Sequence, residues 1–507
     1  MKKYLALALI AALAAFAAPA MADVTGSDGI YTVSGNDTWD KTDDVSSITI
    51  ESGATLTITG TTPVKGSSAT ISGDGTLSTS AVGADVHGIT SISGITINAD
   101  NSPGNIQIGA APYEATSGSY ELTMSNVTSD ISGSKKYVKI GAQVVRSTPT
   151  DSTITSSKIT LNSADVGHSL FGGHLAITGD NHTLNVDNSE ITVNGDSAIG
   201  RAIYAGGGVW GKNSKLHVEN AKITVNGGSF GSTALSDKPT ENGMIYGGGL
   251  VENDDTTGSS STVGNVEIII NGGSVEGVRG GGRIDTKTSH TSNADVTKVD
   301  NVSIVIDGAA TIGEGGVKAG SENVTRGTDD KHSIVENSVV DASVVIKNVP
   351  AGATFEAPIS GEGCVDEAAD IELQNVKGTI NSIAKFGNVG VDPNTSATIN
   401  NLSDKPVLQL VGDWRDESGV REINLDDLVK VQNGAIKEVF TLDEEDKPYY
   451  DTEETGITSL EANPDGTFTA TVERPARQHS GGGGGCSAGF GALALLAALP
   501  LIRMRKK

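Results

Sequence analysis

Between Asp23 and Val349 the apolar positions fall in short clusters and form no long stripe of helical period. Ile159-Thr160-Leu161-Asn162 is followed by Ile191-Thr192-Val193-Asn194-Gly195 and then by Ile223-Thr224-Val225-Asn226-Gly227-Gly228. The series continues with Ile268-Ile269-Ile270-Asn271-Gly272-Gly273 and Ile304-Val305-Ile306-Asp307-Gly308, and Val344-Val345-Ile346-Lys347-Asn348 is a degenerate last copy. Successive copies are 32, 32, 45, 36 and 40 residues apart. A second cluster alternates with the first: Ile203-Tyr204-Ala205-Gly206-Gly207-Gly208, Ile245-Tyr246-Gly247-Gly248-Gly249 and Val278-Arg279-Gly280-Gly281-Gly282, with Phe171-Gly172-Gly173 as an earlier member.

Each cluster reads as a short strand. β-Branched residues dominate it, and Asn-Gly or Asp-Gly ends it in a turn. A strand this short cannot bury an apolar face alone, so the copies must stack on one another. The uneven intervals predict a right-handed parallel β-helix, in which spare residues leave as loops, with each repeat making about two coils. Glycine pairs and triplets then supply positive φ at the corners, and the strand-ending Asn residues form ladders that satisfy backbone groups inside the corner. Ile48-Thr49-Ile50, Leu56-Thr57-Ile58 and Ile95-Thr96-Ile97-Asn98 extend the pattern toward the N-terminus, and Tyr31 to Trp39 is expected to cap the open end. A set of β-sandwich domains is the competing fold; the few aromatic residues and the lack of a domain-sized period weigh against it.

The two ends differ from the body. Lys2 and Lys3 precede an apolar run from Leu5 to Ala18, and Ala20 and Ala22 stand where a signal peptidase reads small residues. A secretory signal over residues 1–22 is expected, with the mature chain starting at Asp23. The solenoid is expected over 23–400. A small β-rich segment over 401–474 follows, containing Leu408 to Trp414 and Gly466 to Val472. A glycine-rich linker occupies 475–485. In the tail, 486–507, Cys486 follows Gly481 to Gly485, a short apolar stretch runs from Ala488 to Ile502, and Arg503, Arg505, Lys506 and Lys507 close the chain. The basic end is expected to act as a cytoplasmic membrane stop, and fifteen apolar residues are few for a lasting span.

The string GGGGGCSAGFGALALLAALPL with its basic end resembles the Synergist-type C-terminal sorting domain (Synergist-CTERM), a GlyGly-CTERM-like tail. The resemblance covers about the last 27 residues. It implies recognition by a rhomboid-like intramembrane sorting protease and cleavage near Gly484, Gly485 and Cys486. The body would then pass through the inner membrane to the cell surface or outer membrane. Cys486 is a candidate for lipid attachment by analogy with other cysteine-bearing tails.

Charge narrows the partners. The chain has 36 basic and 62 acidic residues, a net charge of −26. Without the six basic residues of leader and tail the body would be near −32, from 30 against 62. Such a surface repels nucleic acid, so none is expected as a partner. The two cysteines, Cys364 and Cys486, build no disulfide framework. Cys364 is read as a small buried filler.

No catalytic residue, cofactor or metal site is expected. Gly206 to Lys212 only half matches a phosphate loop, because Asn213 stands where Ser or Thr is needed and no helix follows. His168, His174 and His182 lack a zinc spacing and read as solvated loop residues. Asp443-Glu444-Glu445-Asp446 lacks the alternating ligand spacing of a calcium loop and suits weak calcium binding at most. The reading is therefore an adhesin-like or structural, non-catalytic surface solenoid, similar in repeat style to autotransporter passengers, with a host or bacterial surface glycan or protein as its partner. The alternative is a polysaccharide lyase or hydrolase on the same fold, which needs carboxylates converging on one face.

Overall fold

In a computed structural model the described residues run from 24 to 472, leaving out 61, 80–82, 99–104, 131–136, 148, 178, 232–240, 253–257, 288–294, 327–335, 365–368, 416–419, 424, 437–454 and 463–467. Nearly all of the regular structure is strand; the one helix among the described residues is the single turn Leu425–Leu428. No helix there is long and apolar enough to cross a membrane.

The architecture is a parallel solenoid. An unbroken file of parallel pairings runs from Ile30–Val33 to Val407–Leu410. The repeat clusters fall in register: Ile159 pairs with Ile191, Ile191 with Ile223, Ile223 with Ile268, Ile268 with Ile304 and Ile304 with Val344. Each repeat is therefore one wide coil and not two narrow ones. Parallel stacking continues past residue 400, since Val407–Leu410 and Val429–Asn433 each join the sheet in parallel. Beyond it lies a small antiparallel sheet of Val420–Ile423, Phe468–Val472 and Ile457–Ala462. At the other end Val24–Ser27 closes the stack by pairing antiparallel to Ile30–Val33. Buried Trp39 packs edge-on to Tyr31 at 5.3 Å, filling the expected cap.

The long strands of the middle coils carry a change of parity. In Thr183–Asn194 the inward residues are Leu184 and Val186, then Ser189, Ile191 and Val193. Successive side chains alternate across a strand, so a step of three turns the strand around a corner. The residue on the outside of that corner is Asn in four coils. Asn220 donates to Asn188 at 3.4 Å, Asn265 to Asn220 at 3.0 Å and Asn301 to Asn265 at 2.9 Å. The strand-ending asparagines form a second ladder: Asn194 to Asn162 at 3.0 Å, Asn226 to Asn194 at 2.8 Å and Asn271 to Asn226 at 2.9 Å. Both ladders bond amide to amide, on half-buried or exposed positions. The strand-ending amides do not point into the corner to serve the backbone, because the apolar core already fills that space, whereas in the corner ladder Asn188 and Asn220 also donate to the Thr155 and Asp187 carbonyls at 3.3 Å.

The wide coils hold a second lobe. Its outer wall is a six-stranded parallel sheet of Val144–Val145, Leu175–Ala176, Gly208–Val209, Leu250–Val251, Arg283–Lys287 and Glu322–Arg326. The strands Ser169–Phe171, Ala202–Tyr204 and Met244–Tyr246 separate the lobes and are buried on both faces. Ile203 and Ile245 enter the main core, while Phe171, Tyr204 and Tyr246 enter the second. Glycine triplets make the corner into the outer wall. Their φ angles are not positive, whereas those of Gly195, Gly228 and Gly273 after the strand-ending Asn are. Close approach explains the triplets: a Cβ on Gly206 would lie 2.7 Å from the Gly249 nitrogen, and one on Gly248 would lie 2.4 Å from the Gly282 nitrogen. The coils touch there, backbone to backbone, and Gly206 N–H donates to Gly248 at 3.2 Å.

Candidate functional site

The residues expected to act in export and sorting lie outside the described residues. These are Ala20 and Ala22 at the leader, Gly484, Gly485 and Cys486 at the tail junction, and Arg503, Arg505, Lys506 and Lys507 at the basic end. The acidic stretch Asp443 to Asp446 lies outside them as well.

The three histidines are buried, not solvated, because their segment runs inside a wide coil, from the dividing strand Ser169–Phe171 through the outer-wall strand Leu175–Ala176. Each has its own partner. His168 Nδ1 meets the Ser169 hydroxyl at 2.9 Å, His174 Nε2 meets the Asn185 carbonyl at 3.0 Å, and His182 Nδ1 meets the Pro149 carbonyl at 3.2 Å. Burial pushes His174 down to about 4, so it is neutral near pH 7. Among the described residues no group of three or more His, Cys, Asp or Glu is placed to hold a metal ion. Gly206 to Lys212 forms the glycine corner followed by the strand Gly208–Val209, with no helix to receive a phosphate. Cys364 is half-buried and packs against the main core; burial, then Asp341, pushes its thiol up to about 11. A thiol that stays protonated is a poor nucleophile.

Inside the second lobe, aromatic rings stack with the coil rise. Phe171 lies 4.9 Å from Tyr204 and Tyr204 lies 4.8 Å from Tyr246, with ring planes within 8° and 7° of parallel. At their edge Glu241 sits between two arginines, 3.1 Å from Arg283 and 3.5 Å from Arg201. Arg283 also donates to the Tyr246 hydroxyl at 3.3 Å. All three charged side chains are at most 4% exposed. A closed ion cluster of this kind fixes how segments dock more than it adds stability. No local signal announces it, since Arg201, Glu241 and Arg283 share no motif.

The outer face shows a different arrangement. Register puts Glu121, Lys158, Glu190, Lys222 and Glu267 in one file, alternating in sign from coil to coil. Lys222 reaches Glu267 at 2.7 Å and Lys158 reaches Glu190 at 3.7 Å. Asp165, in the strand Asp165–Val166, is pushed up to about 6 by burial. It is a carboxyl of the kind that serves as an acid near neutral pH, but among the described residues no second carboxylate is a partner of it or a charge acting on it. Near the C-terminal end a groove of about 320 Å³ is lined by Ser382, Asn401, Ser403 and Asn433 with neighbouring apolar groups, and none of its lining side chains titrates.

No protein-family model matches the chain, and neither a curated protein nor a solved structure does.

Proposed function

We propose that the chain is an exported, non-catalytic surface solenoid that presents its long outer faces to an extracellular partner. The observation that carries this reading is the outer face itself. Its charges alternate along a file and its amides bond in ladders, so it offers a regular extended surface in preference to a cleft with converging carboxylates. The strongly acidic body suits a soluble exported protein and disfavours nucleic acid. In this reading the winding is right-handed, as parallel crossovers nearly always are. The apolar stretch after Cys486 engages the inner membrane only until the sorting protease cuts, and the body then stays at the cell surface or outer membrane.

The test is labelling of intact cells followed by mass spectrometry of the C-terminal peptide. Surface-labelled protein should begin at Asp23 and end near Cys486. Labelled protein that still carries Arg503 to Lys507 would mean an ordinary membrane anchor, and protein inaccessible to the label would end the surface reading.

A further inference from the structure

At the N-terminal end of the second lobe six side chains meet: Lys65, Asp85, His87, Gln107, Tyr113 and Arg146. Strand register stacks Lys65 on His87 and Asp85 on Gln107. Arg146, one residue past Val144–Val145, pairs with Asp85 through both Nε and Nη2, the latter at 2.9 Å, and Nη2 also donates to Gln107 Oε1 at 3.2 Å and to the Gly83 carbonyl at 3.3 Å. Lys65 Nζ lies 4.7 Å from the centre of the Tyr113 ring, and His87 meets the same ring edge-on at 4.8 Å. Asp85, His87 and Gln107 are buried, while Lys65, Tyr113 and Arg146 are half-buried. A polar floor thus lies beneath a rim of two cations and an aromatic face.

His87 supplies the second observation. It is fully buried, and neither ring nitrogen has a hydrogen-bond partner among the described residues. A buried polar group left without a partner is costly, and such a group at the floor of a cationic rim points to a ligand. Burial, then Arg146 and Lys65, holds the imidazole down to about 3, so it is neutral. A neutral imidazole offers one donor and one acceptor, which a hydroxyl group matches on both counts. The rim fits a carboxylate, which accepts charge-assisted hydrogen bonds from guanidinium and ammonium groups. With Asp85 ionised the cluster is still net positive, on a chain whose total charge is −26. We propose that this cluster binds a carboxylate-bearing sugar unit, a hexuronate. Its carboxylate would lie on Arg146 and Lys65, a ring hydroxyl on His87, and the sugar ring against Tyr113. The proposal deepens the surface-binding reading and rests on it only for the setting in which such a sugar is met.

The experiment is calorimetric and ligand-observed NMR titration of the full chain with D-glucuronate and D-galacturonate, with D-glucose and inorganic phosphate as controls. At least one uronate should bind, with both controls about tenfold weaker or absent. Arg146→Gln and Lys65→Ser should each weaken the uronate about tenfold. Lys65 is on the half-exposed rim, so its variant keeps the test open if Arg146→Gln disturbs folding. A folded chain that binds neither uronate, phosphate binding as tight as the uronate, or unchanged binding in folded Lys65→Ser would each overturn the proposal. A parallel incubation with polygalacturonate separates the two readings. New reducing ends that vanish in Lys65→Ser would support the site while ending the non-catalytic reading.

Discussion

The two ends of the solenoid and its middle use the same strand differently. Near the N-terminus Ile30 reaches its ladder partner Ser47 in 17 residues, and near the other end Asn388 reaches Val407 in 19. In the middle Ile223 reaches Ile268 only after 45. The narrow coils send every inward residue into one core. The wide coils divide theirs among that core, a second one holding the aromatic stack and a smaller third one where the outer wall meets Leu184 and Leu216, reached through glycine corners. Stability in a narrow coil comes from simple alternation. In a wide coil it depends on aromatic stacking and bare backbone contact, while the buried charge fixes how the segments dock.

The sharpest way to break this contrast is Tyr204→Ala, which opens a cavity between Phe171 and Tyr246. It should cost about 4 kcal/mol in denaturant unfolding. Tyr204→Phe should be neutral or slightly stabilising, because the Tyr204 hydroxyl is buried with no hydrogen-bond partner among the described residues. If both variants lose stability alike, the ring stack is not what holds the second lobe.

Next in size is a pair of glycine substitutions. Gly248→Ala puts a Cβ 2.4 Å from the neighbouring backbone and should cost about 3 kcal/mol. Gly53→Ala, in a narrow coil, meets nothing within 4 Å but has φ +77° and should cost about 1 to 2 kcal/mol. Thermal melts of the two variants would compare steric contact with backbone conformation directly.

Acid should then weaken the middle. His174 is held down to about 4 in the folded chain, against about 6.5 when exposed. The unfolded state therefore binds the proton first, and stability falls as pH drops from 6.5 toward 4, by on the order of 2–3 kcal/mol. Asp165 acts in the opposite sense. Its folded value is raised to about 6, so its contribution is full below about pH 4 and is lost as pH rises through 6. His174→Gln should flatten the acid limb of a stability–pH curve, and Asp165→Asn should steepen it. The smallest effect is expected from the outer ladder, where Asn220→Ala removes exposed amide bonds and should cost about 0.5–1 kcal/mol.

What was legible in the chain was the strand and its partner. Ile191-Thr192-Val193-Asn194 predicts an alternating strand ending in a turn, and its copies at 32-residue spacing predict parallel stacking, because identical segments in register bury identical faces. The expected strands at Ile48 to Ile50 and Leu56 to Ile58 are present, and of the one expected over Leu408 to Trp414 only the first part forms, as Val407–Leu410. The hexuronate cluster was not legible. Lys65 and Arg146 are 81 positions apart and meet only because three coils bring them to one end of the lobe.

The sequence by itself therefore determined that the protein is a stack of parallel strands, since β-branched alternation and Asn-Gly turns are local properties of the chain. Only the tertiary structure decided how wide each coil is and what its second face covers. Ile203-Tyr204 reads the same whether Tyr204 faces solvent or another core, because alternation tells two faces apart without naming what lies against either. The glycine triplets are subject to the same limit. A bare Cα serves a positive φ or a close neighbour equally well, and at Gly206 and Gly248 it is the next coil, 2.7 and 2.4 Å from where a Cβ would stand, that settles which.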